Sequence, residues 1–169
     1  MLNPLSKKNK SKYAGSIVLG LNDAIVEITG TLIGLTFALQ NGILIASTGF
    51  IVGIAASLSM GASKYLSERE SGQKRAKAIK SSAYTGIAYL LTVLVLISPY
   101  IFLQNIYLAS ITMLFCVVII IAIYSYYISN MKSIPFKTRF LRMLSISLGV
   151  ALISFAIGLL VRNYIGVDV

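Results

Sequence analysis

The sequence is poor in the residue types that many enzymes use for chemistry. Its 169 residues include no histidine, no tryptophan, a single cysteine and only five acidic residues. Without histidine, the chain has no His-ligated zinc site and no catalytic triad that uses imidazole. The lone Cys116 cannot form a disulfide within the chain, and its apolar surroundings indicate a small buried hydrophobe. No nucleophile–base constellation is evident, so we expect neither enzymatic activity nor a prosthetic group.

Hydrophobic residues, in contrast, are abundant. They make up 57% of the chain, whereas charged residues make up only 12%. Soluble domains carry roughly 25% charged residues, so this composition is typical of a protein whose solvent is largely lipid. The net charge of +10 does not indicate a nucleic-acid partner, because the basic residues lie between apolar runs instead of gathering on one polar face.

Five apolar segments are long enough to cross a bilayer as helices. A spanning helix needs about 20 predominantly apolar residues, and a backbone in lipid must satisfy its own hydrogen bonds. We therefore predict an all-α, polytopic membrane protein with one transmembrane domain at residues 15–163. Pro99 should end the third helix, since proline disrupts a helix interior. The five predicted helices cover approximately residues 15–39, 43–65, 82–98, 106–129 and 141–161.

The basic residues predict how these helices are oriented. Fourteen of the fifteen lysines and arginines lie before the first helix, in or beside the connection between the second and third, or in or beside the connection between the fourth and fifth. The positive-inside rule places these segments in the cytosol, so the N-terminus is predicted to be cytosolic and the C-terminus outside. Residues 1–14 would form a basic cytosolic tail, and residues 66–81 a basic cytosolic loop. The small size and short loops favour the cell membrane, with a vacuole-like membrane as the alternative.

Two of the five acidic residues stand inside the first apolar segment. Asp23 and Glu27 are four residues apart, so they lie one turn from each other on the same helical face. Both are near the middle of a hydrocarbon core about 30 Å thick, where an ionised aspartate costs roughly 2.5–3.5 kcal/mol. No lysine or arginine is predicted at that depth, and two adjacent carboxylates repel each other. The pair therefore requires a proton or a bound cation, and it is suited to exchanging one for the other.

Glycines occur in the same two helices at spacings that favour close packing. Gly30 and Gly34 form a G-x-x-x-G step in the first helix, and Gly49 and Gly53 form another in the second. Gly20 lies on the face that carries the carboxylates. Small residues at this spacing let helix backbones approach closely, so we interpret all five as positions of helix packing or of a dimer face.

Met60 is a third candidate ligand. It lies in the half of the second helix that is predicted to face the cytosol, within the run ASLSMGASKYLSE. A thioether is a soft ligand, whereas carboxylates and hydroxyls are hard, and the combination suits a divalent transition metal better than sodium or potassium. The alternative is that Met60 only fills space between helices.

Two motifs resemble the paired signatures of the vacuolar iron transporter family. They are GLNDAIVEITG in the first helix and SMGASKYLSERE at the end of the second. The resemblance implies five membrane helices, a cytosolic N-terminus, and a homodimer that carries ferrous iron or manganese out of the cytosol, coupled to protons. It also implies that Asp23 and Met60 line a path between two first helices. Glu27 is added to them on the physical argument given above.

The sequence departs from the family pattern at three places. Ala24 replaces the glycine that often follows the aspartate, and Lys64 replaces the acid that commonly precedes the motif tyrosine. Plant-type members carry a Glu- and Met-rich ion-collecting domain between helices two and three. Here that connection reads SERESGQKRAKAIKSS, with Glu68 and Glu70 as its only acids. The chain therefore resembles a short form of the family that lacks the cytosolic metal-binding domain.

The leading hypothesis is a carrier that moves a divalent transition metal out of the cytosol by proton antiport. Fe²⁺ is the first expectation and Mn²⁺ the second. One alternative is a non-transporting scaffold whose glycine faces bind another membrane protein. The other is a carrier of a different cationic solute through the same site.

Overall fold

The computed structural model describes residues 4–132 and 134–165, with the side chains of residues 13–131 and 134–164. These residues form five α-helices and no strand. The helices are α1 (Pro4–Leu39), α2 (Gly42–Glu70), α3 (Arg75–Phe102), α4 (Ile106–Lys132) and α5 (Phe136–Ile165).

All five helices are long and apolar enough to cross a bilayer. The qualifying portions are 26 to 29 residues long, and about 20 residues suffice to span the hydrocarbon core. The predicted fold class, an all-α membrane protein with five spanning helices, is confirmed. The side of the membrane that each terminus faces stays a prediction.

The prediction that Pro99 ends the third helix is wrong. Helix α3 continues through Pro99 for another turn to Phe102. Proline has no backbone N–H, so the carbonyl of Val95 loses its usual helical donor. The hydroxyl of Ser98 donates to that carbonyl instead, at 2.8 Å. A neighbouring hydroxyl thus satisfies the group that proline leaves free, which is one way in which membrane helices tolerate proline.

The connection predicted at residues 66–81 is much shorter than expected. Helix α2 extends to Glu70 and α3 begins at Arg75, so only residues 71–74 lie between them. Gly72 has a positive φ of 75° in this turn. At the other end of α2, Asn41 caps the helix, because its Oδ1 accepts from the backbone N–H groups of Ile43 and Leu44, both at 3.1 Å.

Helix α1 lies at the centre of the bundle. It packs against each of the other four helices, and α2 and α3 form the most extensive remaining pair. Because each connection is short, successive helices run in opposite directions, so α1, α3 and α5 are parallel. Helices α1 and α3 are also the two most buried.

Different contacts hold the helices together at the two ends of the bundle. At the end that holds the α2–α3 and α4–α5 connections, which we call the basic end, Arg139 donates to the hydroxyl of Tyr124 and lies over its ring. At the opposite end, three buried hydroxyls connect α1, α3 and α4. Thr36 and Tyr100 share a hydrogen bond of 2.8 Å, and Tyr100 and Ser110 share one of 3.1 Å.

The outer surface of the bundle is apolar. Large hydrophobic side chains on α2, α4 and α5 are exposed, among them Ile51, Ile119 and Leu152. On a soluble monomer, apolar exposure of this extent would be unusual. On helices of membrane-spanning length it is the surface expected to contact lipid tails.

Candidate cation site on the first helix

The carboxylates of Asp23 and Glu27 lie near the midpoint of α1. Glu27 is one residue past the middle of the membrane-length portion Tyr13–Leu39, and Asp23 is one turn nearer the basic end. Glu27 is exposed and Asp23 is partly exposed. The two side chains are close enough for their charges to interact. The structure thus places two of the three predicted ligands side by side at mid-depth.

The two acids occupy a narrow part of the α1 surface, which we call the carboxylate strip. On one side of it, Gly20 lies against the backbone of Thr85 in α3. On the other side, Gly30 lies against α5. Asp23 and Glu27 lie between these two contacts along the helix, where Glu27 is exposed and Asp23 partly exposed. The carboxylate strip is therefore left partly uncovered by the chain's own helices.

Tyr89 holds Glu27 from the interior of the bundle. Its hydroxyl donates to Oε2 of Glu27 at 2.6 Å, and its side chain is completely buried at 0% exposure. The close approach of α1 and α3 at Gly20 permits this contact, since a Cβ at that position would collide with the carbonyl oxygen of Thr85. Glu27 therefore has a fixed partner on its protein side and an open face on the other.

Within the described side chains, residues 13–131 and 134–164, no basic residue forms an ion pair with Asp23 or Glu27. The ion pairs found there all involve Glu68, not Asp23 or Glu27. Lys64, which the sequence places near the cytosolic mouth, lies 3.0 Å from Oε1 of Glu68, and Lys77 lies 3.9 Å from Oε2. The charge of Lys64 is therefore engaged at the α2–α3 connection instead of at the carboxylate strip.

Met60 lies at a similar depth on α2. It is 18 residues from the start of that helix at Gly42, about 27 Å along the axis. Asp23 is 16 residues from the end of α1 at Leu39, about 24 Å from the same end of the bundle. The thioether is partly buried and packs against the hydrophobic core. Its role as a metal ligand stays a prediction.

The five glycines singled out from the sequence all lie against other helices of the same chain. Gly34 lies beside Ser154 in α5, and a Cβ added at Gly34 would lie 3.3 Å from the carbonyl oxygen of Ser154. An added Cβ at Gly49 would lie 2.7 Å from Leu32 in α1, and Gly53 lies against Val93 in α3. These contacts explain the three glycines by packing within the chain, and the contacts of Gly20 and Gly30 described above do the same for those two. A part in a dimer face stays a prediction for all five.

The carboxylate strip is not a complete metal site by itself. Among the described residues, no group of three or more His, Cys, Asp or Glu side chains could hold a metal ion. Divalent metals in proteins take four or more ligands. Two carboxylates therefore leave several positions of an ion to be filled from elsewhere, for example by water, by Met60 or by a second copy of the chain.

Tyr89 is the site residue that sequence reasoning missed. It stands within the run GIAYLLTV, in the middle of the third apolar segment. Tyrosines of membrane proteins are enriched at the interfaces, so a phenol at mid-depth was a signal for a buried polar partner. What the sequence did not reveal is that α3 packs beside α1 with this residue opposite Glu27.

Comparison with known proteins adds one finding. The family model described as VIT family matches residues 14–74. The matched segment contains the carboxylate strip, Met60 and the whole of α2. Among the curated proteins, no match is found.

Proposed function

We propose that this chain carries a divalent transition metal across a membrane, as its match to the VIT family model over residues 14–74 suggests. Ferrous iron is the first expected cargo and manganese the second. The coarser function, a membrane metal ion transporter, is what this match suggests. The cargo, the direction out of the cytosol and the coupling to protons are our proposal.

The observation that carries this proposal is the exposure of two carboxylates at mid-membrane depth. Glu27 is exposed and Asp23 partly exposed on a helix of membrane-spanning length. Ionisable residues at such depth are costly, and they mark ion pathways far more often than structural contacts. A purely structural acid would be covered and paired, and the described side chains offer Asp23 no basic partner.

The chemistry of the site suits exchange of a metal ion for protons. Ionised carboxylates are hard ligands that bind divalent cations, and each loses most of that capacity when it is protonated. Ions arriving from the cytosol would bind Asp23 and Glu27 and displace their protons. On the more acidic outer side, protons would return and expel the ion. Met60 would add a soft donor that favours iron and manganese over calcium and magnesium.

A second copy of the chain would complete the site. The carboxylate strip is partly uncovered, and lipid tails cannot solvate it. Two copies that face each other through this strip would bring four carboxylates around one shared path. Pairing of two chains also supplies the symmetry that many carriers need and that five helices cannot supply by duplication.

Transport in proteoliposomes tests the proposal. Fe²⁺ or Mn²⁺ is added outside vesicles that contain a metal-quenched fluorophore, with and without an acidic lumen. We expect the wild-type protein to move the ion into the vesicles, and to do so faster when the lumen is acidic. Asp23→Asn keeps the shape of the side chain but removes its charge, so we expect it to abolish transport.

The matched control is Glu70→Gln, which removes a carboxylate that is exposed at the far end of α2. This variant should transport like the wild type. Undiminished transport by Asp23→Asn would overturn the assignment of the site. Failure of the wild-type chain to bind Fe²⁺ or Mn²⁺ in calorimetry would favour the scaffold alternative instead.

A further inference from the structure

The hydrogen bond between Tyr89 and Glu27 joins a rigid group to a mobile one. Tyr89 is enclosed at the middle of α3 with 0% exposure, so its ring has no room to turn aside. Glu27, in contrast, is exposed, and its side chain has three rotatable bonds. The contact of 2.6 Å is short for a hydroxyl donor and is typical of a bond to a carboxylate. The position of Glu27 is therefore set by its partner.

Only one oxygen of Glu27 is engaged by this contact. Tyr89 donates to Oε2, and no other hydrogen bond to Glu27 is found among the described residues. A carboxylate binds a metal in a bidentate manner only when both oxygens turn toward the ion. A carboxylate that is tied through Oε2 to an immobile ring keeps Oε1 free but cannot present the two oxygens equally.

We propose that Tyr89 is a positioning residue that restricts Glu27 to single-oxygen coordination and thereby sets ion selectivity. This inference rests on the proposed function, because it concerns the ion that the carboxylate strip binds. Tyr89 contacts a predicted ligand and not the ion, and hydrogen-bond partners of this kind orient the ligands of metal sites generally.

The restriction discriminates between cations by coordination geometry. Ca²⁺ takes six to eight oxygen ligands at 2.3–2.6 Å and often uses bidentate carboxylates. Smaller divalent ions with fewer ligands are served by single oxygens. A Glu27 fixed to one oxygen therefore disfavours Ca²⁺ relative to Mn²⁺ and Fe²⁺. Without the phenol, Glu27 could turn both oxygens to an ion, and this penalty on Ca²⁺ would be lost.

The test is a comparison of Mn²⁺ and Ca²⁺ binding by the purified full chain in calorimetry, with Ca²⁺ competition in Mn²⁺ transport as a second readout. Tyr89→Phe removes only the hydroxyl. Loss of a group that hydrogen-bonds to a metal ligand commonly changes metal affinity about 10–100-fold, so we expect the ratio of Ca²⁺ to Mn²⁺ affinity to rise by about tenfold. Glu27→Asp is the second variant. It is one methylene shorter, loses its reach to the phenol, and should shift the ratio in the same direction.

The matched control is Tyr100→Phe. Tyr100 is also a buried tyrosine of α3, but its hydroxyl bonds to Thr36 and Ser110 instead of a carboxylate. This variant should leave the ratio unchanged. If Tyr89→Phe is folded and its ratio equals that of the wild type, the inference is wrong while the proposed function stands. If the wild-type protein binds neither Mn²⁺ nor Fe²⁺, the proposed function fails and the inference fails with it.

Discussion

At the scale of single residues, polar side chains differ in whether they have a second hydrogen-bond partner. In the cluster at the opposite end of the bundle, Thr36 also donates to the carbonyl of Leu32 at 2.6 Å. Ser110 likewise donates to the carbonyl of Ile106 at 2.8 Å. Both therefore keep a backbone acceptor whatever happens to Tyr100. Glu27, in contrast, depends on Tyr89 for its hydrogen bond within the described part of the chain.

We therefore predict that Tyr100→Phe is only mildly destabilising. Loss of a hydrogen bond between neutral groups costs about 1 kcal/mol when its partners remain satisfied. A thermal unfolding curve of the protein in detergent should show a small downward shift, with ion binding intact. A loss of several kcal/mol would contradict this account, because it would mean that the phenol is the main partner of Thr36 and Ser110.

At the scale of helices, the contact between α1 and α3 determines whether the site forms. An added Cβ at Gly20 would collide with the backbone carbonyl of Thr85 and lie only 3.2 Å from the backbone nitrogen of Tyr89. Neither group belongs to a side chain that could rotate away. The helices could accept a larger residue only by moving apart, and that movement would withdraw Tyr89 from Glu27.

We predict that Gly20→Ala destabilises the protein and weakens ion binding together. Overpacking of this kind costs about 1–3 kcal/mol, and the thermal midpoint and the Mn²⁺ affinity should both fall. The control is Gly15→Ala in the same helix, where an added Cβ meets nothing within 4 Å. Equal behaviour of the two variants would show that the α1–α3 approach is not what positions Glu27.

The helices themselves could be predicted from the sequence, but their neighbours could not. Long apolar runs identify spanning helices because lipid permits few other structures, and all five were found. Asp23 and Glu27 stood out because acids are rare in such runs. Pro99 misled the prediction, since the compensating hydroxyl of Ser98 is a local detail. Tyr89 was missed because the pairing of α1 with α3 depends on tertiary packing, and one sequence carries no direct record of it.

At the scale of the whole molecule, the two carboxylates of the carboxylate strip interrupt an outer surface that is largely apolar. Most of this outer surface is suited to lipid, yet the carboxylate strip lies partly uncovered near the middle of α1. A second copy placed over this strip would remove the interruption from lipid. It would also bring nearby exposed residues of α1, such as Leu19, close to their counterparts in the partner.

Disulfide trapping should detect this arrangement. In a Cys116→Ala background, we predict that Leu19→Cys forms a dimer under mild oxidation in membranes, visible on a non-reducing gel. Leu19 is 41% exposed and lies one turn before Asp23. The control, Ile119→Cys on α4, is also 41% exposed and should stay monomeric. The reverse pattern would place the contact between copies on α4.

The turn between α2 and α3 has a consequence for how this architecture can grow. Gly72 is exposed, has a left-handed backbone conformation, and would meet nothing within 4 Å if a Cβ were added. Sequence spliced into such a tip projects away from the bundle and leaves the helices as they are. A separately folded module could therefore be acquired or lost at this point without rebuilding the membrane core. A chain with this short turn and a longer chain with an ion-collecting module inserted there could therefore have the same arrangement of transmembrane helices.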